Sequence, residues 1–434
     1  MAARIASPWF ILGLWMVAGL LTLMQSLVTA ELATRFPKAG GEYQFLKEAY
    51  GPFAAFLFGW SFTIFIIACG GGTIAAALGD FAASLFGIDA KWASPAMGCA
   101  AIALVIAVNC LGLKTGAVTQ NLLTALKALA VLGIAVGAMM VAGQWTPKIS
   151  QVPVLPPEGQ SQDVWHAVAM FFQSLLLAFW PYTGATDPAK LAEETRDVHR
   201  SMPKALIATV FILTGVYLFY NYALLCAMSP VDMADKPDVH AQIFHDIKDV
   251  PIEKTILLAS ILICLGSLSS VFLANTRVTF ALARDGLIFS FLARMSRHQA
   301  PVPSLILCGL VACIFVLNRS FREILTIYFM GSAILFGLSY FSLVVFRLRD
   351  RRMGRTFPPD AFRVPAGIFI ALVLVLVEAA IAVSLVAADV DTWNSPDASP
   401  SYDTLLSLAL IAALGVLYFF WPVKAAPNET IHST

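Results

Sequence analysis

Eleven apolar runs, separated by short polar segments, constrain what this chain can fold into more than any other feature. They lie at about 9–30, 53–85, 95–113, 116–142, 165–186, 204–228, 255–282, 303–318, 322–346, 364–387 and 403–422. A hydrocarbon core about 30 Å thick asks for roughly 20 apolar residues per crossing helix. The pattern therefore predicts a polytopic helical membrane protein forming one transmembrane domain over residues 1–434. The 53–85 run has room for one tilted helix or two short ones, with Gly70-Gly71-Gly72 at its middle; one helix is expected. A signal-peptide reading of the first run is opposed by its length and by Gly13, Trp15 and Gly19, which suit a packed membrane helix.

Composition removes the alternatives. Charged residues make up 13% and hydrophobic ones 59%, against about 25% charged in ordinary soluble domains. So little charge cannot cover a water-facing surface of this size, which argues against a soluble enzyme or a disordered chain. The net charge of +1 supplies no field for a polyanion, so no nucleic-acid partner is expected. The seven cysteines form no C-x-x-C pair and the six histidines are scattered, so neither a metal centre nor another cofactor is expected.

Charge also gives an orientation. With loops assigned to alternating sides, nineteen Lys and Arg fall on one side and eight on the other, leaving Lys127 inside a span. The richer side is expected to be cytoplasmic. That places the C-terminus inside and the N-terminus outside.

Two intramembrane features carry chemistry. From Phe179 to Glu194 the apolar helix meets Pro181, Gly184 and Pro188, beside Tyr182, Thr183 and Thr186. Pro removes a backbone donor and Gly weakens a helix. At membrane depth a broken helix persists only when protein buries it or when it lines a wet cavity, and such breaks hold solutes in many secondary carriers. A plain proline kink is the simpler alternative. The second feature is Lys127, near the middle of its run. A buried ammonium is costly unless partnered, so it marks function by default; snorkelling to an interface is the competing reading. Weaker signals are Asp80, Glu378, Arg277 and Arg284 (the last two read as headgroup anchors), and the small or hydroxylated stretches Gly70–Thr73 and Gly266–Ser270. Glu193-Glu194, facing Arg196 and Arg200, reads as a gate or a solvated loop.

Ala30 to Tyr43, followed by Tyr50-Gly51-Pro52, resembles a signature of amino acid–polyamine–organocation permeases. Phe179 to Glu194 with Arg200 to Ala205, and Arg277 with Ala281 to Gly286, are similar to that family's sixth and eighth helices. Gln120 to Lys127 resembles the fifth helix of the branch related to L-type amino acid transporters. The resemblance implies a fold of two inverted five-helix repeats, the first incomplete here at about 7–145 and the second at about 163–347, with two extra helices at about 364–422. It implies secondary transport of an amino acid by alternating access, as proton-coupled uptake or exchange. Substrate contact would fall to Phe179, Trp180, Pro181, Tyr182, Thr183 and Gly184, with Gly71 and Thr73. Lys127, with Ser267 and Ser270, would stand where relatives hold a coupling ion.

A polyamine substrate is the nearest variant and would want a pocket carboxylate, for which Asp187 and Asp80 are the options. The sequence names no partner subunit. The family's first helix, with its Gly-rich break, has no counterpart here, so an apolar segment upstream of Met1 is expected in the working form. The same feature motivates the other reading, a non-transporting remnant or subunit.

Overall fold

The computed structural model describes residues 7–111, 113–149, 164–234, 239–244, 252–318, 320–394 and 400–421. The terminal charges Arg4 and Lys424 and the loop charges Lys236, Lys248 and Arg319, all used in the orientation, lie outside them. Among the described residues the chain is helical, without strands. The long helices are α1 (Pro8–Arg35), a short α2 (Glu42–Tyr50), α3 (Pro52–Phe86), α4 (Ala93–Cys110), α5 (Leu113–Ala142) and α6 (Val164–Phe179). They continue with α7 (Val198–Ala227), α8 (Ile252–Arg284), α9 (Val302–Asn318), α10 (Phe321–Met353), α11 (Gly367–Asn394) and α12 (Asp403–Phe420).

All eleven expected spans are helices, but their lengths differ from the sequence expectation. Nine are long and apolar enough to cross a bilayer among the described residues. The apolar part of α9 is shorter, and α6 stops after 16 residues, where Trp180-Pro181 begins a different winding. The 53–85 run is one helix, as expected. Gly70 to Gly72 do not break it; its irregularity is a π-helical stretch at Phe62–Cys69 just before them.

Local signals explain the ends. Ser7 caps α1 through the Phe10 amide, with Pro8 in the first turn. Ser320 and Glu323 form a reciprocal capping box on α10, and Gly354 ends that helix in the left-handed region. Helix α3 is central: 72% of its most apolar window is buried, against 17% for α5. It crosses α4 closely because Gly79 and Gly98 lack Cβ atoms. A Cβ on Gly98 would stand 2.7 Å from the Ala75 carbonyl oxygen.

The arginine-rich loops gather on one face, as their alternation predicts. There Glu31, fully buried on α1, accepts from Arg347 Nε at 3.0 Å and from a second Arg347 nitrogen at 2.5 Å. It also takes the Val364 amide at 2.8 Å. Arg35 reaches Asp350 at 2.6 Å. This clamp ties α1, α10 and the start of α11 together. On the other face Lys148 donates to the Ala227 carbonyl at 2.7 Å. Removing one partner of a buried ion pair costs about 3–5 kcal/mol. Glu31→Ala is therefore expected to cost about 3–5 kcal/mol of stability, seen as a lower detergent melting midpoint by intrinsic fluorescence; an unchanged midpoint contradicts the clamp.

Candidate functional site

The interruption after α6 is tightened rather than opened. Trp180–Glu194 winds as 3₁₀ turns, with non-helical geometry at Leu191. The sequence reading expected exposed backbone ends here. Instead, local partners take up the carbonyls: Thr183 donates to Trp180 at 2.8 Å, and Tyr217 of α7 donates to Pro181 at 2.9 Å. Aromatic rings wall the segment on two sides. Tyr182 packs against Trp15 and Tyr217, with centroids 6.2 and 5.0 Å away, and its hydroxyl reaches the Trp15 carbonyl at 3.2 Å. Trp180 stands edge-on to Tyr328 and Phe329 of α10, at 4.7 and 5.4 Å. Pro181 and Gly184 stay exposed between these walls.

The far end of the segment is anchored by a buried ion that the sequence reading had counted among the loop charges. Lys190 is 1% exposed. Its Nζ lies 2.5 Å from Asp187 and 4.0 Å from Glu42, and 5.2 Å over the Phe62 ring. Burial disfavours the Lys190 ammonium, but the Asp187 and Glu42 carboxylates outweigh that and hold its pKa above the usual lysine value. Burial pushes the Glu42 carboxyl up, against the pull of Lys190. One Glu42 oxygen has no hydrogen-bond partner, and the close contact of Lys190 is with Asp187.

The Ala39-Gly40-Gly41-Glu42 motif now has a physical reason. Gly41 sits at φ +50°, and a Cβ there would come within 2.9 Å of Lys190 Cγ. The Gly40 amide donates to the Lys190 carbonyl at 3.3 Å. Two glycines thus let the chain turn flush against the lysine.

An ion-pair layer closes this end. Glu193 and Glu194 pair with Arg284 at 3.5 Å and Arg277 at 3.4 Å, not with Arg196 and Arg200 as expected. Arg277 is 4% exposed and also donates to the Leu273 carbonyl, so it is an interior partner rather than a headgroup anchor. Lys47 and Tyr43 both bind Asp285 at 2.6 Å.

Lys127 of α5 points at α8, where its Nζ meets the Ser267 hydroxyl at 3.4 Å. Ser270, part-buried, does not share that bond. Gln120, two turns earlier on α5, donates to the Gly266 carbonyl at 3.3 Å. Gly71 and Thr73 are elsewhere. Thr73 is fully buried with its hydroxyl on the Cys69 carbonyl, and Gly71 gives room to the Phe272 ring. Gly71 lies where α3 packs on α8, and Thr73 bonds within its own helix.

Gln25 of α1, near the segment, escaped the sequence reading. Glu378 of α11, read there as a helix contact, accepts from Gln25 at 3.5 Å. Both line a cavity of about 10 Å³ shared with Phe179, roughly one water in size. Asp80 accepts from Ser94 at the opposite end of α3. Among the described residues no three His, Cys, Asp or Glu side chains are grouped to hold a metal.

The sequence model of a family described as amino acid permease matches residues 2–400. The chain belongs to that family. It is a multi-pass transporter of the amino acid–polyamine–organocation superfamily, related to the L-type branch, and not an enzyme. The b(0,+)-type amino acid transporter 1 of Homo sapiens is 25% identical over 431 residues, covering 96% of this chain and 83% of that protein. A serine/threonine exchanger of Bacillus subtilis is 29% identical over 274 residues, 62% of this chain and 59% of its own. The human Asc-type amino acid transporter 1 is 26% identical over 354 residues, covering 79% and 65%.

Lys127→Gln keeps a polar side chain, one atom shorter, and removes its charge. In proteoliposomes it is expected to cut amino acid flux about tenfold or more, equivalent to about 1.4 kcal/mol, with an unchanged melting midpoint. Ser267→Ala is expected to show a weaker loss in the same direction. Wild-type flux in both variants, at equal reconstitution, contradicts a transport role for the ammonium.

Proposed function

We propose that this permease exchanges neutral amino acids across the membrane by alternating access. The substrate lies against the interrupted segment Phe179, Trp180, Pro181, Tyr182, Thr183 and Gly184. The observation that carries the reading is the exposure of Pro181 and Gly184, set between two aromatic walls. A zwitterion needs donors and acceptors for its charged ends and an apolar wall for its side chain.

Two further observations narrow the substrate and the mode. Asp187, the carboxylate a polyamine would want, is already paired with Lys190. Asp80 lies at the far end of α3, on Ser94. That favours a neutral substrate over a cation. The fixed ammonium of Lys127 beside Ser267 of α8 supplies a positive charge between two helices without a bound ion, which favours exchange over sodium coupling. One relative, the Bacillus subtilis protein, is named a serine/threonine exchanger, which agrees with that mode.

In this proposal residues 7–145 and 163–347 form the two repeats, with the helices at 364–422 packed outside them. Ser270 joins Ser267 near Lys127 when the helices rearrange. The arginine-rich face is cytoplasmic, so the ion pairs of Glu193 and Glu194 close the inward path. Opening then requires parting Arg277 and Arg284 from them.

The test is uptake of labelled serine, alanine and leucine into proteoliposomes. Uptake is expected when the vesicles are preloaded with unlabelled amino acid and to be near background in empty vesicles. Equal uptake by empty vesicles contradicts exchange. Binding without any flux favours the non-transporting reading, and neither binding nor flux across neutral, cationic and polyamine substrates overturns the proposal.

A further inference from the structure

The arginine-rich face holds a cavity whose lining includes none of the interrupted segment. Its volume is about 260 Å³, and it is lined by Arg347, Asp350, Arg351, Arg355, Phe357 and Arg363. Four of the six lining side chains are guanidinium groups and one is a carboxylate. The carboxylate is not available to neutralise them, because Asp350 is bound to Arg35 at 2.6 Å. Arg347 is likewise satisfied by Glu31. Among the described residues, Arg351, Arg355 and Arg363 have no carboxylate within ion-pair distance.

Three unpaired guanidinium groups would repel one another, and free side chains would spread into water. Here they converge. Gly354 turns the chain at φ +59° immediately after α10, which brings Arg355 back toward the helix end. Arg363 is held over the Phe357 ring at 5.3 Å, and Arg35 stacks on the same ring at 5.4 Å. The aromatic ring and the Asp350 pair thus shape a concave site with uncompensated positive charge.

Depth selects the ligand. Phe346 is the last buried apolar residue of α10, and Arg347 follows it directly. The cavity therefore sits at the polar end of the apolar span of α10. Guanidinium forks bind phosphate oxygens bidentately, and basic pockets at the ends of membrane helices meet anionic lipids. We propose that this cavity binds the phosphate of an anionic phospholipid, with Arg351, Arg355 and Arg363 as its ligands. A solvated topological anchor would have the same charge but not the shared cavity.

The test uses the full-length chain purified in a neutral detergent. It is titrated separately with phosphatidylglycerol, phosphatidylcholine and inorganic phosphate, while native mass spectrometry follows lipid retention and fluorescence follows the melting midpoint. Phosphatidylglycerol is expected to be retained and to raise the midpoint saturably, and phosphatidylcholine is expected to do neither. The triple variant Arg351→Gln, Arg355→Gln, Arg363→Gln is expected to lose phosphatidylglycerol affinity about tenfold or more. Its midpoint without lipid is expected to stay at the wild-type value, since none of the three makes an ion pair within the fold. Arg294→Gln with Arg297→Gln, elsewhere on the same face, is expected to leave retention intact. Equal retention of the two lipids, or full retention by the triple variant, overturns the proposal. Saturable stabilisation by inorganic phosphate matching that of phosphatidylglycerol overturns the lipid assignment and makes free phosphate the ligand.

Discussion

A single buried ammonium, that of Lys190, joins the interrupted segment to the rest of the molecule. A chain that leaves the α-helix near the hydrocarbon must find partners for its backbone groups, and it must be fixed or it unravels. Lys190 does both. Its side chain satisfies Asp187 within the segment and approaches Glu42 on α2, while its carbonyl receives the Gly40 amide. Phe62 of α3 lies beneath the charge. Three parts of the chain, far apart in sequence, therefore meet at one ion.

The rest of the site follows from that anchor. With the end of the segment fixed at Lys190, Glu193 and Glu194 come within reach of Arg284 and Arg277 on α8. The start of the segment is held differently, by Trp15, Tyr217 and Tyr328, whose rings pack without charge. The segment is thus rigid and polar at one end and aromatic at the other. Near the aromatic end, Pro181 and Gly184 are left open. This division suits a carrier: the aromatic end can face a substrate while the charged end parts and reforms.

Much of the fold was legible from the sequence because hydrophobic length is a direct statement about bilayer crossing. Every apolar run became a helix, and the single-helix reading of 53–85 held although Gly70 to Gly72 invited a break. Packing decided there, since those glycines sit against Tyr328, Phe272 and Phe315 and not against solvent. The break at Pro181 was also legible, because two prolines and a glycine within eight positions cannot continue an α-helix. Which charges meet was not legible. Glu193 lies close to Arg196 in sequence but pairs with Arg284, and Lys190 reads as a loop residue until Asp187 and Glu42 close over it. Side chains that pair across a hundred residues leave no local signal. Gly71 and Thr73 are found packed within the helices, since small and hydroxyl residues mark close packing as readily as a binding surface.

The anchor role of Lys190 is open to a direct stability measurement. Lys190→Met leaves Asp187 buried without its cation, at a cost of about 3–5 kcal/mol. Lys190→Met combined with Asp187→Leu removes both charges, and the account predicts that most of the lost stability returns. The melting midpoints of wild type, each single variant and the double variant, measured in one detergent, give the coupling between the two side chains. A double variant close to wild type, with both singles far below it, is the predicted result. Additive losses, with the double variant the least stable of the four, would contradict a buried ion pair as the fixing point of the segment.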